Sequence, residues 1–187
     1  KVTDALVVPQ PVQRPHPPMR MAASSAATFK TVAQEGLPLF VGLRGDGLEA
    51  LTHNINVYRE TWRECRHKGE SSVYLRVPVY GADTVAAAIE EPKENITYYF
   101  ERQAKMVAAG SPKGDNAERS KTATTLSSLS YDDILQDRVA FGTGPQLVER
   151  LQEWRDVLGI DGITAEMNAG GMLTEAQVKN SLRVITR

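Results

Sequence analysis

The stretch Met19-Arg20-Met21-Ala22-Ala23-Ser24-Ser25-Ala26-Ala27-Thr28 decides the fold. It predicts a short strand over Met19–Ala23 that leads directly into a helix opened by Ser24 and Ser25. Small side chains at this junction let a ligand reach the backbone, and the amides and dipole of a helix start favour an anion. Ser25 and Thr28 are three residues apart, so both hydroxyls can face that anion. The alternative interpretation is a simple N-cap with nothing bound.

Strands and helices alternate along the rest of the chain. Apolar runs predict strands over Leu37–Leu43, Val73–Tyr80 and Ile160–Met167. Caps and helical spacing predict helices over residues 48–67, 85–91, 93–109, 131–137, 144–158 and 175–185. Strict alternation favours right-handed βαβ units and a parallel sheet. Four strands are half of the eight in a (β/α)₈ TIM-type barrel, so we expect about the second half of such a barrel. A small four-stranded doubly wound sheet is the alternative.

Residues 110–130 differ from the rest of the chain. They are rich in Ser, Thr, Lys, Gly and Asn and nearly free of large apolar side chains. This composition predicts a long mobile loop, and long loops in compact domains are often lids, insertions or linkers. We therefore expect one domain over residues 1–187 with a candidate lid at 110–130.

Composition and charge limit the class of protein. With 41% apolar and 24% charged residues, a globular domain is expected rather than a disordered chain. The net charge of −1 gives no basic surplus that would attract nucleic acid or an anionic membrane. No stretch is long and apolar enough to span a bilayer. A single cysteine and no signal-peptide pattern over Lys1–Gln10 predict a cytoplasmic protein, and the start reads like the middle of a longer one.

Two blocks of sequence resemble the bacterial luciferase-like flavin monooxygenases. The first contains Gln13-Arg14-Pro15-His16-Pro17-Pro18, Ala22-Ala23-Ser24-Ser25-Ala26-Ala27-Thr28 and Ala33-Gln34-Glu35-Gly36. The second contains Phe141-Gly142-Thr143-Gly144-Pro145, Val148-Glu149-Arg150-Leu151, Leu158-Gly159-Ile160-Asp161-Gly162 and Gly170-Gly171. The resemblance covers most of the chain except residues 110–130. It implies a (β/α)₈ barrel that binds reduced FMN, supplied by a separate reductase, and oxidises an aldehyde or another small organic substrate with O₂.

The resemblance also implies cofactor-binding residues. Ser25 and Thr28 would hold the flavin phosphate, and Ser24 would contribute through its backbone or hydroxyl. Gly170 and Gly171 end the last strand, at the rim where the sites of barrel enzymes lie. Their alternative role is a turn that requires positive φ.

Side chains near the ends of strands are the other candidates. Arg76 and Tyr80 could touch substrate, with packing and pairing as the alternative, and Glu166 could be a buried acid near the site. No catalytic residue is assigned, because in the family most catalytic side chains lie in the amino-terminal half of the barrel. The resemblance therefore implies that this chain alone is inactive.

No metal site is predicted, because His16, His53, His67 and Cys65 are too scattered to form a cluster. His16 is expected to pack in the proline-rich connector or to reach the rim of a site. Two other functions stay open: a non-catalytic flavin-binding protein on a truncated barrel, and an oxidoreductase that uses a deazaflavin. A half-barrel exposes strand edges, so we expect it to pair with another chain, most simply as a homodimer.

Overall fold

A computed structural model describes residue 6 and residues 8–14, 16–43, 47–110 and 116–187 of the chain, without the side chains of 116–119. Residues 1–5 and residues 111–115 of the predicted loop lie outside the described residues. The strands are β1 (Met21–Ala22), β2 (Leu39–Gly42), β3 (Val73–Gly81), β4 (Ala140–Gly142) and β5 (Gly162–Glu166). The helices are α1 (Ala26–Gln34), α2 (Leu48–Glu64), α3 (Val85–Glu90), α4 (Lys93–Ala108), α5 (Asn116–Ser128), α6 (Tyr131–Asp137), α7 (Gly144–Leu158) and α8 (Glu175–Ile185).

The strands form one parallel sheet in the order β1-β2-β3, with β5 and β4 also paired to β3. β3 pairs with β2 through residues 73–76 and with β4 through residues 79–81. Pro78 lies between these two pairings and is in register with Glu166 of β5. The order β1-β2-β3-β5 runs in one direction without the reversal of a doubly wound sheet, so the doubly wound alternative is wrong.

The two faces of the sheet differ, as the alternation of side chains along β3 shows. Val73, Leu75, Val77 and Val79 are at most 2% exposed and pack beneath the helices. Tyr74 and Arg76 point to the opposite face and stay partly exposed. We call this opposite side the inner face. Helices on one side of a parallel sheet are the layering of a (β/α) barrel, and the predicted fold class is confirmed by this layering and by the comparisons given below.

Helix ends follow the predicted caps. Thr84 accepts a bond from the amide of Ala87, and Thr174 accepts one from the amide of Gln177. Thr143 is the N-cap of α7, which has a proline in its first turn, and Gly159 ends that helix with a φ of 62°.

The prediction of a loop over residues 110–130 is wrong for most of the segment, which contains α5. Leu126 is 2% exposed and joins Ile96, Phe100 and Ile134 in a second core between α4 and α6. This tertiary contact stabilises a helix whose own sequence carries almost no apolar stripe. The mobility of the segment stays a prediction.

Two smaller differences concern strands. β4 adds a fifth strand, although its three residues are too few for a recognisable pattern. β1 is shorter than the predicted Met19–Ala23, and its residues are exposed because it forms the edge of the sheet.

Candidate functional site

The start of α1 lies at the carboxyl end of β1, where the strand delivers the chain into the helix. Ser25 is the N-cap, with φ −118° and ψ 149°, but its side chain makes no capping bond to the helix backbone. Its Oγ lies instead 2.7 Å from Oγ1 of Thr28. Ser25 and Thr28 are half-buried, whereas Ser24, Ala26 and Ala27 are exposed. This end of the helix therefore presents a hydroxyl pair and open backbone to solvent.

An anion is the ligand that this arrangement suits. The first amides of a helix have no intrahelical acceptor, and the dipole places partial positive charge at this end. One hydroxyl of the pair donates to the other, which leaves the second O–H to donate to an anionic oxygen. Ser25 is the N-cap of α1 by position, but its hydroxyl bonds Thr28 rather than a backbone amide.

Gly170 and Gly171 have clear structural roles in the turn after β5. A Cβ on Gly170 would lie 2.1 Å from the backbone oxygen of Asn95 on α4. Gly171 has a φ of 75°, and its amide donates to the carbonyl of Asn168. The amide of Met172 donates to Oδ1 of Asn95 over 2.9 Å. Close approach to α4 and positive φ thus explain both glycines, and their predicted cofactor contact stays a prediction.

Arg76 and Glu166 form an ion pair between β3 and β5 on the inner face. Their side chains are 32% and 18% exposed. Tyr99 of α4 donates its hydroxyl to the other carboxylate oxygen of Glu166 over 3.3 Å. Because α4 reaches this carboxylate, the helix lies over the carboxyl end of β5. The pairing alternative for Arg76 is therefore confirmed, and its contact with substrate stays a prediction.

Tyr80 is buried and donates its hydroxyl to Glu91. Burial, together with that hydrogen bond and the negative charge of Glu91, raises the pKa of Tyr80 well above its ordinary value. The tyrosine therefore stays protonated and acts as a hydrogen-bond donor near neutral pH. Substrate contact by Tyr80 stays a prediction beside this packing role.

A shallow depression lies where β3 and β5 end. Its walls are apolar apart from Glu166 and Asn95, and the remaining side chains include Pro78, Tyr80, Ile96, Phe141, Met167 and Leu173. The sheet order separates this region from the start of α1, because β2 and β3 stand between β1 and β5. The structure thus places Ser25 and Thr28 at one edge of the sheet and Arg76, Tyr80 and Gly170 toward the other.

Tyr99, Glu91 and Asn95 are the contributors that the sequence did not reveal. They lie in or beside α4: Tyr99 and Asn95 bond Glu166 and Met172, which are 67 and 77 residues away, and Glu91 bonds Tyr80, 11 residues away. No role in a site was predicted for them from the sequence.

The histidines make local contacts. His16 bonds the carbonyl of Pro17, His53 is exposed, and His67 bonds the carbonyl of Gln34 beside Trp62. Within residues 6, 8–14, 16–43, 47–110 and 116–187, no group of three or more His, Cys, Asp and Glu could hold a metal ion. In that same part of the chain, no helix has the length and apolarity that crossing a membrane requires.

The parallel sheet with its covering helices defines a portion of a parallel α/β barrel. The family model "luciferase-like monooxygenase" matches residues 1–161 of the chain. The chain therefore belongs to the luciferase-like monooxygenase family, and the predicted resemblance is confirmed.

Solved structures share this fold at low sequence identity. The oxygenating constituent of 3,6-diketocamphane monooxygenase from Pseudomonas putida, in complex with FMN, is similar with a TM-score of 0.69 and 17% identity, over 92% of this chain and 48% of that one. A monooxygenase from Streptomyces bottropensis is similar with a TM-score of 0.66 and 16% identity, over 95% of this chain and 48% of that one. A coenzyme F420-dependent tetrahydromethanopterin reductase from Methanopyrus kandleri is similar with a TM-score of 0.53 and 14% identity, over 78% of this chain and 44% of that one.

The chain spans about half the length of these structures. Among curated proteins, none matches this sequence.

Proposed function

We propose that the chain is the flavin-phosphate-binding part of an FMN-dependent luciferase-like monooxygenase, which oxidises an aldehyde or another small organic substrate with O₂ and reduced flavin. The observation that carries this proposal is the open start of α1, with Oγ of Ser25 and Oγ1 of Thr28 2.7 Å apart. Membership of the family supports the reaction class, and the FMN in the structure of the Pseudomonas putida relative supports the cofactor.

The residues at the start of α1 fit a phosphate. The Ser25 hydroxyl makes no capping bond to its own helix and pairs with the Thr28 hydroxyl, so a phosphate would bind to this hydroxyl pair. Alanines at 26 and 27 leave room for phosphate oxygens to reach the helix amides. Ser24, which is exposed just before the cap, would contribute through its backbone or hydroxyl.

The rest of the chain would position and shield the reactants. Bound reduced FMN would supply the electrons that activate O₂, and a separate reductase would supply the reduced flavin. Apolar side chains at the ends of β3 and β5 would exclude water from a small organic substrate. A homodimer would cover the exposed sheet edges at β1 and β5.

A deazaflavin-dependent oxidoreductase is the second candidate, favoured by the similarity to the F420-dependent reductase from Methanopyrus kandleri. A non-catalytic flavin-binding protein is the third. Titration of the chain with FMN and with coenzyme F420 distinguishes the first two candidates. Flavin binding without any oxidation of long-chain aldehyde, in the presence of NADH and a flavin reductase, supports the third.

The test of the phosphate role is a pair of matched double variants. Ser25→Ala with Thr28→Ala removes the two facing hydroxyls, and we expect FMN binding to weaken by about 1–3 kcal/mol, because hydrogen bonds to a charged group are lost. Thr31→Ala with Ser127→Ala is the control, since both of these exposed hydroxyls bond carbonyls of their own helices. Equal FMN affinity in the two double variants, measured by fluorescence titration, would remove the phosphate role.

A further inference from the structure

The two outermost strands of the sheet, β1 and β5, each have one open side. Among the described residues, β1 pairs with β2 and β5 pairs with β3, and neither has a second neighbour. The amide of Asp161 donates to β3, so the backbone groups of Thr164, three residues on, point away from β3. The amides of Met21 and Ala23 donate to β2, so the backbone groups of Ala22 point away from β2. Both open sides therefore present the donors and acceptors that a further parallel strand would need.

Exposed apolar side chains lie at both margins of the helix-covered face of the sheet. Met21 of β1 is in register with Leu39, which is fully buried, yet Met21 is 38% exposed. Ile163 of β5 is in register with Leu75, also fully buried, yet Ile163 is 36% exposed. Ala165, the next residue of β5 on that face, is exposed as well. The apolar layer beneath the helices thus extends to both edges of the sheet and ends in solvent at each.

β1 and β5 lack the features that usually protect edge strands. Such strands are commonly shielded by lysines, prolines, bulges or a covering segment. The two residues of β1 are Met and Ala, and the one charge of β5 is its last residue, Glu166, which pairs with Arg76. Arg20, just before β1, has its Cζ 3.9 Å from the centre of the Tyr74 ring on the inner face. Both edges are therefore accessible to another parallel strand.

We propose that two copies of this chain close into one eight-stranded barrel, with β1 of each copy beside β5 of its partner. Each copy contributes the four parallel strands β1, β2, β3 and β5, and eight is the number at which a parallel (β/α) sheet closes. A twofold axis along the barrel keeps all strands parallel and forms the same seam twice, so no edge stays open. The chain spans about half the length of the solved relatives, so two copies match one such relative in length.

The seam between the copies would lie beside the start of α1. Because β1 leads directly into α1, this helix start would adjoin the carboxyl end of the partner's β5. The inference thus names the partner at the proposed phosphate site, and it rests on the proposed function for what that site holds. The pairing itself needs no cofactor and is tested without one.

The first test is the mass of the unaltered chain in solution, measured by sedimentation equilibrium over a range of concentrations without FMN. We expect twice the 20.5 kDa of one chain, because two copies leave no open edge. A monomer at every concentration overturns the proposal. An assembly that grows beyond two copies also overturns it, because a seam that does not close adds copies without limit.

The second test places a proline on the open side of β5. Thr164→Pro removes an amide that faces the seam and leaves the amides that bond β3 in place. We expect the dissociation constant of the dimer to rise at least about tenfold, because each of the two seams loses a donor. Thr164→Val is the matched control, since it keeps the amide and suits a strand. Equal dissociation constants for the two variants overturn the proposal.

A variant on the other edge decides if Thr164→Pro does not fold by circular dichroism. Ala22→Pro removes the amide on the open side of β1, so it is expected to weaken the dimer in the same way, and an unchanged dissociation constant overturns the pairing. The FMN titration of the Ser25 and Thr28 variants does not enter either measurement. Dimer formation can therefore be confirmed while the phosphate role is refuted, or the reverse.

Discussion

Replacing Gly170 by alanine tests the packing of the turn after β5 against α4. The added Cβ would lie 2.1 Å from the backbone oxygen of Asn95 and 2.7 Å from its Oδ1. The backbone oxygen of Asn95, in the first turn of α4, cannot move aside as a flexible side chain could, so the turn after β5 must shift. Overpacking of this kind costs about 1–3 kcal/mol.

The shift would also break a hydrogen bond. The amide of Met172 donates to Oδ1 of Asn95, which is 5% exposed, so a displaced turn leaves a buried amide oxygen without this donor. That loss adds about 0.5–1.5 kcal/mol. We therefore expect Gly170→Ala to lower the free energy of unfolding by about 3 kcal/mol.

Gly171→Ala is the matched comparison at the next position. A Cβ there meets no atom within 4 Å, so the only cost is the φ of 75°. A left-handed alanine costs about 1 kcal/mol, one third of the effect expected at Gly170.

Urea unfolding followed by circular dichroism measures both changes. Gly170→Ala as stable as the unaltered chain, or less destabilising than Gly171→Ala, would refute the packing argument. A Gly170→Ala chain of unchanged stability with weakened FMN affinity would instead support a direct cofactor contact.

Three further predictions concern stability. Burial raises the pKa of Tyr58 to about 12; above about pH 10 the unfolded chain therefore loses this proton first, so stability falls between about pH 10 and 12, and Tyr58→Phe should flatten that fall in urea midpoints measured across this range. Leu126→Ala should cost about 2–4 kcal/mol and speed amide exchange in α5, because the buried leucine holds this helix on α4, and unchanged exchange would contradict the contact. Ser181→Ala should cost about 1–3 kcal/mol in the same urea assay, since the buried amide of Gly81 loses its acceptor at 2.9 Å, whereas a cost near zero would show that this bond adds nothing.

Apart from α5 and β4, the order and type of the elements followed from local sequence, because local physics determines them. Val73, Leu75, Val77 and Val79 alternate with polar or aromatic neighbours, which is sufficient for a strand with one buried face. Threonines at 84 and 174 cap helices through bonds that span three residues. β4 could not be predicted, because its strand character comes only from pairing with β3.

Within the candidate site, only contacts between residues close together in the sequence could be predicted. Ser25 and Thr28 are one helical turn apart, so their meeting follows from helix geometry alone. Arg76 and Glu166 are 90 residues apart, and their pairing depends on the register of β5 against β3. Nothing in either stretch of sequence specifies that register. The same reasoning explains why Tyr99 could be recognised as core but not as a donor to Glu166.

The edge strand β1 links the sheet to the start of α1, where an anion would be held. Only two residues of β1 pair with residues of β2. The amide of Met21 donates to the carbonyl of Pro38, and the amide of Ala23 donates to the carbonyl of Phe40. An anion held at Ser25 would need this narrow attachment intact, and by thermodynamic reciprocity its binding would strengthen the attachment by the same factor. Detachment of β1 from the sheet and release of the cofactor would then be thermodynamically coupled, so that each favours the other.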